Sequence, residues 1–347
     1  MKVLTGYKVR VVAAGVVLAL GSAACGSAKT SQASQTTQAT SAAPPTTVKI
    51  GYLTGDSASA LFAVANQQDL WQKYNLKPDL VTFTSGPLAL EALKAGDIQI
   101  AHGGVGALWP AMAGQAELLG ADVFDNADAL IAQPSSGVTS IAQLKGKDVA
   151  VTTGTATDIL LRLALQHAGI PFSDVHEVQM APATIVSAFV SNQVQLAGSW
   201  YPLLNTILAK IPNTVILARS TSFAPSVRFL NGFLTTRNMV SSDPGLATRV
   251  MAVLETADNW VAAHKSAAET LAAKFNGVAV SSEQLTLNNV AYLTSAEFSG
   301  DIQNGQVASW LKTLSQQFAL MGIIPAVQPV SSYFASNIYL AAAKKVS

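Results

Sequence analysis

Ala92-Leu93-Lys94-Ala95-Gly96-Asp97-Ile98-Gln99-Ile100-Ala101 and, further along the chain, Ala188-Phe189-Val190-Ser191-Asn192-Gln193-Val194-Gln195-Leu196-Ala197 follow one pattern. Each reads as a helix end, a tight turn and a short strand. The first strand runs out at His102-Gly103-Gly104 and the second at Trp200. Gly96 suits the helix terminus because a residue without Cβ enters the left-handed region at little cost. The unit occurs twice at long separation, which points to two lobes of like architecture and not to a solenoid.

Outward from these copies, short β-branched runs alternate with amphipathic stretches, the pattern of α/β layers. Strands are expected at 48–52, 80–83 and 98–101, with helices at 58–74, 87–95 and 105–113. A second set begins after Pro134. It has strands at 149–152, 175–180, 194–199 and 214–217, and helices at 157–167 and 184–191. Beyond 233–236 the chain reads as mostly helical, with helices running toward His264 and at 267–275, 282–292 and 306–321. Ser242-Asp243-Pro244 is a cap followed by proline, a good helix opening.

The first residues carry Lys2, Lys8 and Arg10, then an apolar run from Val11 to Leu20, then Gly21-Ser22-Ala23-Ala24-Cys25. A charged start, a short apolar run and small residues before a cleavage point form a secretory signal over 1–24. Cys25 is the sole cysteine, so no internal disulfide can form. Its position resembles a bacterial lipobox, in which cysteine becomes the lipidated first residue, although Ser22 stands where leucine is usual. The alternative is an ordinary signal peptide with an incidental cysteine. Residues 25–46 are rich in Ser, Thr, Ala and Gln and have little to bury, so they read as a flexible tether. The remaining chain, of about 300 residues, exceeds what one core usually serves.

Of 21 basic residues, three precede Cys25, leaving 18 against 20 acidic groups. That balance gives no electrostatic case for nucleic acid. His102, His167, His176 and His264 are scattered with no metal-ligand spacing, and no Gly-x-Ser-x-Gly elbow occurs. Neither a metal nor a cofactor is expected.

Ser85-Gly86-Pro87, Glu91-Ala92-Leu93-Lys94-Ala95-Gly96-Asp97-Ile98 and Gly103-Gly104 together resemble the first lobe of substrate-binding proteins of ABC importers. Leu144-Lys145-Gly146-Lys147, Thr153-Gly154-Thr155 and Trp200-Tyr201-Pro202 resemble the second. The similar branch serves aliphatic sulfonates, taurine, nitrate and thiamine-precursor pyrimidines. The resemblance implies an α/β fold of two Rossmann-like lobes joined by two crossovers, the type II periplasmic-binding-protein architecture. Lobe 1 is expected at 47–135 and 231–347, and lobe 2 at 136–230. It also implies a monomer that delivers a small molecule to a permease and its ATPase, touching the membrane through its lipid alone. Relatives often carry Asp between the Trp and Pro of the last motif, where this chain has Tyr201. A phenol supplies no charge for an amine at neutral pH, which argues against taurine itself.

Ligands of open α/β sheets collect beyond the carboxyl ends of strands. That rule selects Asp56 and Ser57, Ser85 and Gly86, Gly103 and Gly104, Thr155 and Ala156, and Trp200 and Tyr201. Thr155 to Asp158 also fits a capping box, and helix starts bind anions through the same free N–H groups. Trp200 reads as a cleft wall or a core aromatic, Trp109 as packing. His102 either faces the cleft or is simply hydrogen-bonded. In relatives the strand after Arg228 re-enters the first lobe near the ligand, so Arg228 and Asn231 are candidates, with a surface ion pair as the rival role for Arg228. The expected ligand is a small organic molecule with an acidic group such as a sulfonate or carboxylate. Two rival functions stay open: an enzyme on the same fold, resembling pyrimidine synthases, and a ligand-sensing subunit for a membrane receptor.

Overall fold

A computed structural model describes residues 43–346; the signal segment, Cys25 and most of the expected tether lie outside the described residues. Eleven strands make two mixed sheets among those residues. The first has the order β11-β4-β10-β3-β1-β2, with β1 Thr46–Leu53, β2 Leu76–Phe83, β3 Ile100–Gly103, β4 Glu117–Asp125, β10 Leu230–Thr235 and β11 Val290–Tyr292. The second has the order β7-β6-β8-β5-β9, with β5 Asp128–Ala132, β6 Asp148–Val151, β7 His176–Gln179, β8 Leu196–Trp200 and β9 Val215–Arg219.

The two sheets repeat one plan. In each, three parallel strands (β2-β1-β3 and β7-β6-β8) are followed by an antiparallel strand, β10 or β5, and then by β4 or β9. Burial follows this order. Strands β3, β5 and β10 are buried along their whole length, whereas the edge strands β2 and β7 are half exposed. Strands covered by helices on both faces carry near-continuous apolar sequence. This explains why β10, read from Leu230-Asn231-Gly232-Phe233-Leu234, shows little alternation.

The paired decapeptides fold alike down to single hydrogen bonds. Gly96 N–H donates to Leu93 C=O at 3.1 Å and Asp97 N–H to Ala92 C=O at 2.9 Å. In the second copy, Asn192 N–H donates to Phe189 C=O at 3.0 Å and Gln193 N–H to Ala188 C=O at 2.8 Å. Gly96 and Asn192 both take left-handed backbone, with φ of 82° and 59°. Asparagine is the side chain that tolerates that region best after glycine. Further on, the Asp243 carboxylate accepts from Leu246 N–H at 2.9 Å and caps the helix Pro244–Ala263. That helix packs against Ser57–Gln67 and the final helix Ser336–Val346 over the first sheet.

Several expectations change. The helix expected over 58–74 divides into Ser57–Gln67 and Leu70–Lys73, and the one expected over 282–292 ends at Asn288 and gives way to β11. Strands β4 and β5 fill 117–132, a stretch to which the sequence pattern assigned nothing; both are buried on both faces and show no period. Because β5 pairs with β8 and β9, the chain leaves the first sheet after Asp125, ahead of the boundary expected at 135. The chain returns to the first sheet with β10, which starts at Leu230. The helix expected over 105–113 is broken into Val105–Ala107 and Trp109–Met112, because Pro110 has no N–H to continue the ladder.

Across the gap between the sheets the backbones touch. A Cβ added at Gly106 would overlap the backbone of Gly154 and Thr155, so only glycine allows this approach. Gly106→Ala should therefore destabilise the fold by about 1–3 kcal/mol, the usual cost of overpacking. Urea melts of the two proteins measure it, and an unchanged midpoint would show that the two turns do not meet in solution.

Candidate functional site

The carboxyl ends of the strands in both sheets converge on one cavity of about 70 Å³. A water needs about 10–15 Å³, so the space suits a molecule of few heavy atoms. From the first sheet it is lined by Asp56, Ser57, Gly86, Gly104, Asp125 and Asn231. The second sheet contributes Asp128, Gly154, Thr155, Ala156, Trp200 and Tyr201. Leu53, Pro87, Ala107, Ala127, Thr286 and Val290 complete the wall.

Three helices of the described chain start at this cavity: Ser57–Gln67, Gly86–Ala95 and Ala156–His167. None has its first turn capped by the side chain of its N-cap residue, Asp56, Ser85 or Thr155. The Thr155 hydroxyl donates to Thr152 C=O at 2.7 Å, and the Asp158 carboxylate accepts from Gly154 N–H at 2.8 Å while pairing with Arg162 at 2.7 Å. The expected capping box at Thr155 is thus not formed. Each first turn keeps N–H groups free of side-chain partners and the positive end of its helix dipole at the cavity.

Behind the cavity lies a buried polar chain. His102 sits with Nδ1 2.8 Å from Asp56 Oδ2 and Nε2 3.1 Å from Asp122 Oδ1. Ser57 Oγ donates to Asp122 Oδ2 at 2.6 Å, and Tyr292 Oη donates to Ser57 C=O at 2.9 Å. Burial opposes a charge on His102, yet the carboxylates of Asp122 and Asp56 outweigh it and lift the imidazole to about 10. The ring is an imidazolium at neutral pH, packed 4.7 Å from Phe233. Of the two roles open to His102, it takes the hydrogen-bonded structural one.

At the crossing between the sheets the charges have no such partner. Asp125 Oδ1 accepts from Ala127 N–H at 2.7 Å, but burial, with help from the Asp122 and Asp56 charges, raises its carboxyl to about 6. Asp128 is pushed well above the ordinary range, first by burial and then by the Asp125 charge. Asp56 Oδ1, Asp128 Oδ2 and Asn231 Oδ1 are buried without a hydrogen-bond partner. No Lys, Arg or His lines the cavity.

Nine of the twelve residues selected from sequence come together here: Asp56, Ser57, Gly86, Gly104, Thr155, Ala156, Trp200, Tyr201 and Asn231. Ser85 and Gly103 stand just behind the wall. Arg228 is elsewhere: its guanidinium lies over the Phe124 ring, 4.7 Å from the centroid, and forms no ion pair among the described residues. Its Nε is buried without a hydrogen-bond partner, and the residue does not line the cavity. The sequence reading missed Asp122, Asp125 and Asp128. Three aspartates within residues 122–128, in a chain with only 12% charged residues, were the available signal.

Residues 56–268, which include all twelve residues selected from sequence, match the family described as NMT1/THI5 like. The chain belongs to the NMT1/THI5-like family. This NMT1/THI5-like chain is 34% identical over 294 residues to a Brucella abortus (strain 2308) protein provisionally named a binding protein, covering 85% of this chain and 92% of the relative. Other relatives, from Escherichia coli (strain K12), are named for binding aliphatic sulfonates and taurine. Among solved structures, its fold resembles the periplasmic aliphatic sulphonate binding protein SsuA from Escherichia coli with a TM-score of 0.66, at 22% identity, over 85% of this chain and 99% of that one. The desulfurization enzyme DSZB shares the fold at a TM-score of 0.61 and 14% identity, over 87% of this chain and all of that one. The fold of this NMT1/THI5-like chain is therefore that of periplasmic binding proteins, with a catalytic outlier among its neighbours.

The charged state of His102 predicts a pH signature. Because its folded pKa lies above the ordinary 6.5, its contribution is complete below that pH and is lost as pH rises through about 10. His102→Asn strands the buried Asp122 carboxylate and the partly buried Asp56, and breaking a buried pair costs about 3–5 kcal/mol. Denaturant melts should show the gap between wild type and variant shrinking between pH 7 and 10. A gap constant with pH would mean that the ring is neutral.

Proposed function

We propose that this chain is the solute-binding lipoprotein of an ABC importer, holding a small organic ligand with an acidic group in the cavity between two lobes. The observation that carries the reading is the convergence of three helix starts, uncapped by their N-cap side chains, on one cavity lined from both sheets. Free N–H groups at a helix start, aided by its dipole, form a ready anion site. Trp200 and Tyr201 supply the apolar wall usual in small-molecule pockets. The lobes are 44–126 with 230–346, and 127–229, and they open and close about the two crossings.

Binding rather than catalysis is supported by the state of the polar chain. Ser57 directs its hydroxyl to Asp122, and both nitrogens of His102 are held by carboxylates. An imidazolium of pKa about 10 offers Ser57 no general base at neutral pH. The names of the relatives point the same way, and a permease with its ATPase would be the partners of a binding protein of this kind. Cys25, lipidated after removal of 1–24, would hold the chain on the outer face of the membrane by its lipid alone. No helix among the described residues is long and apolar enough to cross a membrane.

Two measurements test this reading. Cys25→Ala should move the protein from the membrane fraction to the soluble one; retention in the membrane would remove the lipid anchor from the proposal. Ligand added at a hundred times its Kd should stabilise the chain by about 2.7 kcal/mol through mass action. A melting-temperature screen against sulfonates, carboxylates, nitrate and pyrimidines reads this directly. Trp200→Ala should weaken the resulting hit about tenfold; an unaltered affinity would put the ligand outside this cavity.

A further inference from the structure

We infer that the ligand carries a protonated nitrogen as well as an acidic group, and that Asp128, with Asp56 and Asn231, receives that nitrogen. This rests on the proposed binding function and names the chemistry of its ligand. The cavity wall carries two unlike kinds of group. Uncapped helix starts at Ser57, Gly86 and Ala156 offer N–H groups, whereas the opposite need is set by acceptors.

Three acceptor atoms are buried there without a donor: Asp56 Oδ1, Asp128 Oδ2 and Asn231 Oδ1. Asp128 is 1% exposed and Asn231 is 5% exposed, and both face the cavity. Buried polar groups are almost always paired, so three orphans around one space call for a donor from outside the chain. An ammonium brings three N–H donors and no acceptor. A plain anion would bring only further acceptors.

The charge balance agrees. Asp56, Asp125 and Asp128 line the cavity without a cation among the lining residues, and His102 behind it already serves Asp56 and Asp122. Arg228 cannot supply the balance from its place over Phe124, and no other basic side chain lines the cavity. Burial, and then the Asp125 charge, push the Asp128 carboxyl well above its ordinary range, as expected of a buried acid with no cation beside it. Tyr201 replaces the acid that relatives carry in the Trp-x-Pro motif, but Asp128 stands opposite Trp200 in the β5–β8 pairing. The acid has a different origin on the same wall.

The test uses the purified full chain and matched triplets of probes in a thermal-shift assay, followed by calorimetry. One triplet is β-alanine, propionate and propylamine; a second is aminomethanesulfonate, methanesulfonate and methylamine. A bulkier third is para-aminomethylbenzoate, para-toluate and para-methylbenzylamine. In at least one triplet the zwitterion should bind tenfold or more tightly than its nitrogen-free partner. Asp128→Asn should abolish that preference and leave the nitrogen-free acid bound as well or better. Asp125→Asn gives a second reading should the first variant fold poorly, since it lowers the same negative charge. If the nitrogen-free acids bind as tightly as the zwitterions, the inference is overturned while the proposed function stands. Binding of the amines alone would keep the inference and overturn the acidic-group reading. No binding in any triplet overturns both.

Discussion

The first sheet depends on a strand that arrives from the second. Strand β10 enters the first sheet between β3 and β4 only after the chain has completed the second, and β5 enters the second directly on leaving the first. The first sheet is completed only when β10 and β11 return from beyond the second, so its half of the cavity cannot form from one continuous segment. The exchange also decides what lies at the centre. Asp125 ends β4, Asp128 begins β5 and Asn231 is the second residue of β10, so the crossings deliver polar side chains into the space between the sheets. A ligand site at the crossings follows from topology, as ligands gather where strand ends open.

That placement creates an electrostatic problem that the chain solves on one side only. His102 is the second internal position of β3, and it neutralises Asp56 from the β1 turn and Asp122 from β4 in one contact. The imidazolium ties three segments distant in sequence, and Ser57 and Tyr292 extend the tie to the first helix and to β11. Such a buried network is costly if any member is removed, because the remaining charges cannot reach water. On the far side, Asp125 and Asp128 have no cation; burial raises both carboxyls, and the Asp125 charge adds to the rise at Asp128. The contrast separates a carboxylate pair used for structure from one left open.

The parts of this arrangement legible in sequence are those with local causes. The turn shared by Gly96 and Asn192, the cap at Asp243 and the strand-end turns at 54–57, 155–156 and 200–201 depend on residues within a few positions. They were therefore readable, and nine candidate residues meet at one cavity. Strands β4 and β5 were not readable. Their residues are buried on both faces, so no alternation marks them, and their partners lie far away in sequence. The same blindness hid Asp125 and Asp128. Arg228 misled for a different reason. Its position beside β10 was read correctly, but whether its side chain turns toward the cavity or toward Phe124 depends on β4, which the pattern did not show.

On the proposed function, the orphan acceptors explain why closure should wait for ligand. A buried acceptor without a donor costs about 1–3 kcal/mol, and three of them lie between the sheets when the backbones of Gly106 and Thr155 touch. Opening restores water to those atoms, so the orphans narrow the margin by which the empty chain closes. A ligand that donates to them removes the penalty in the closed form alone. Shifting a two-state equilibrium from 1:99 to 99:1 takes about 5.5 kcal/mol of differential affinity, which is within the reach of three such contacts. Unpaired groups that would weaken an ordinary core thus act here as the bias that makes closure report on capture. A permease that recognises only the closed form would then distinguish loaded from empty chains without touching the ligand.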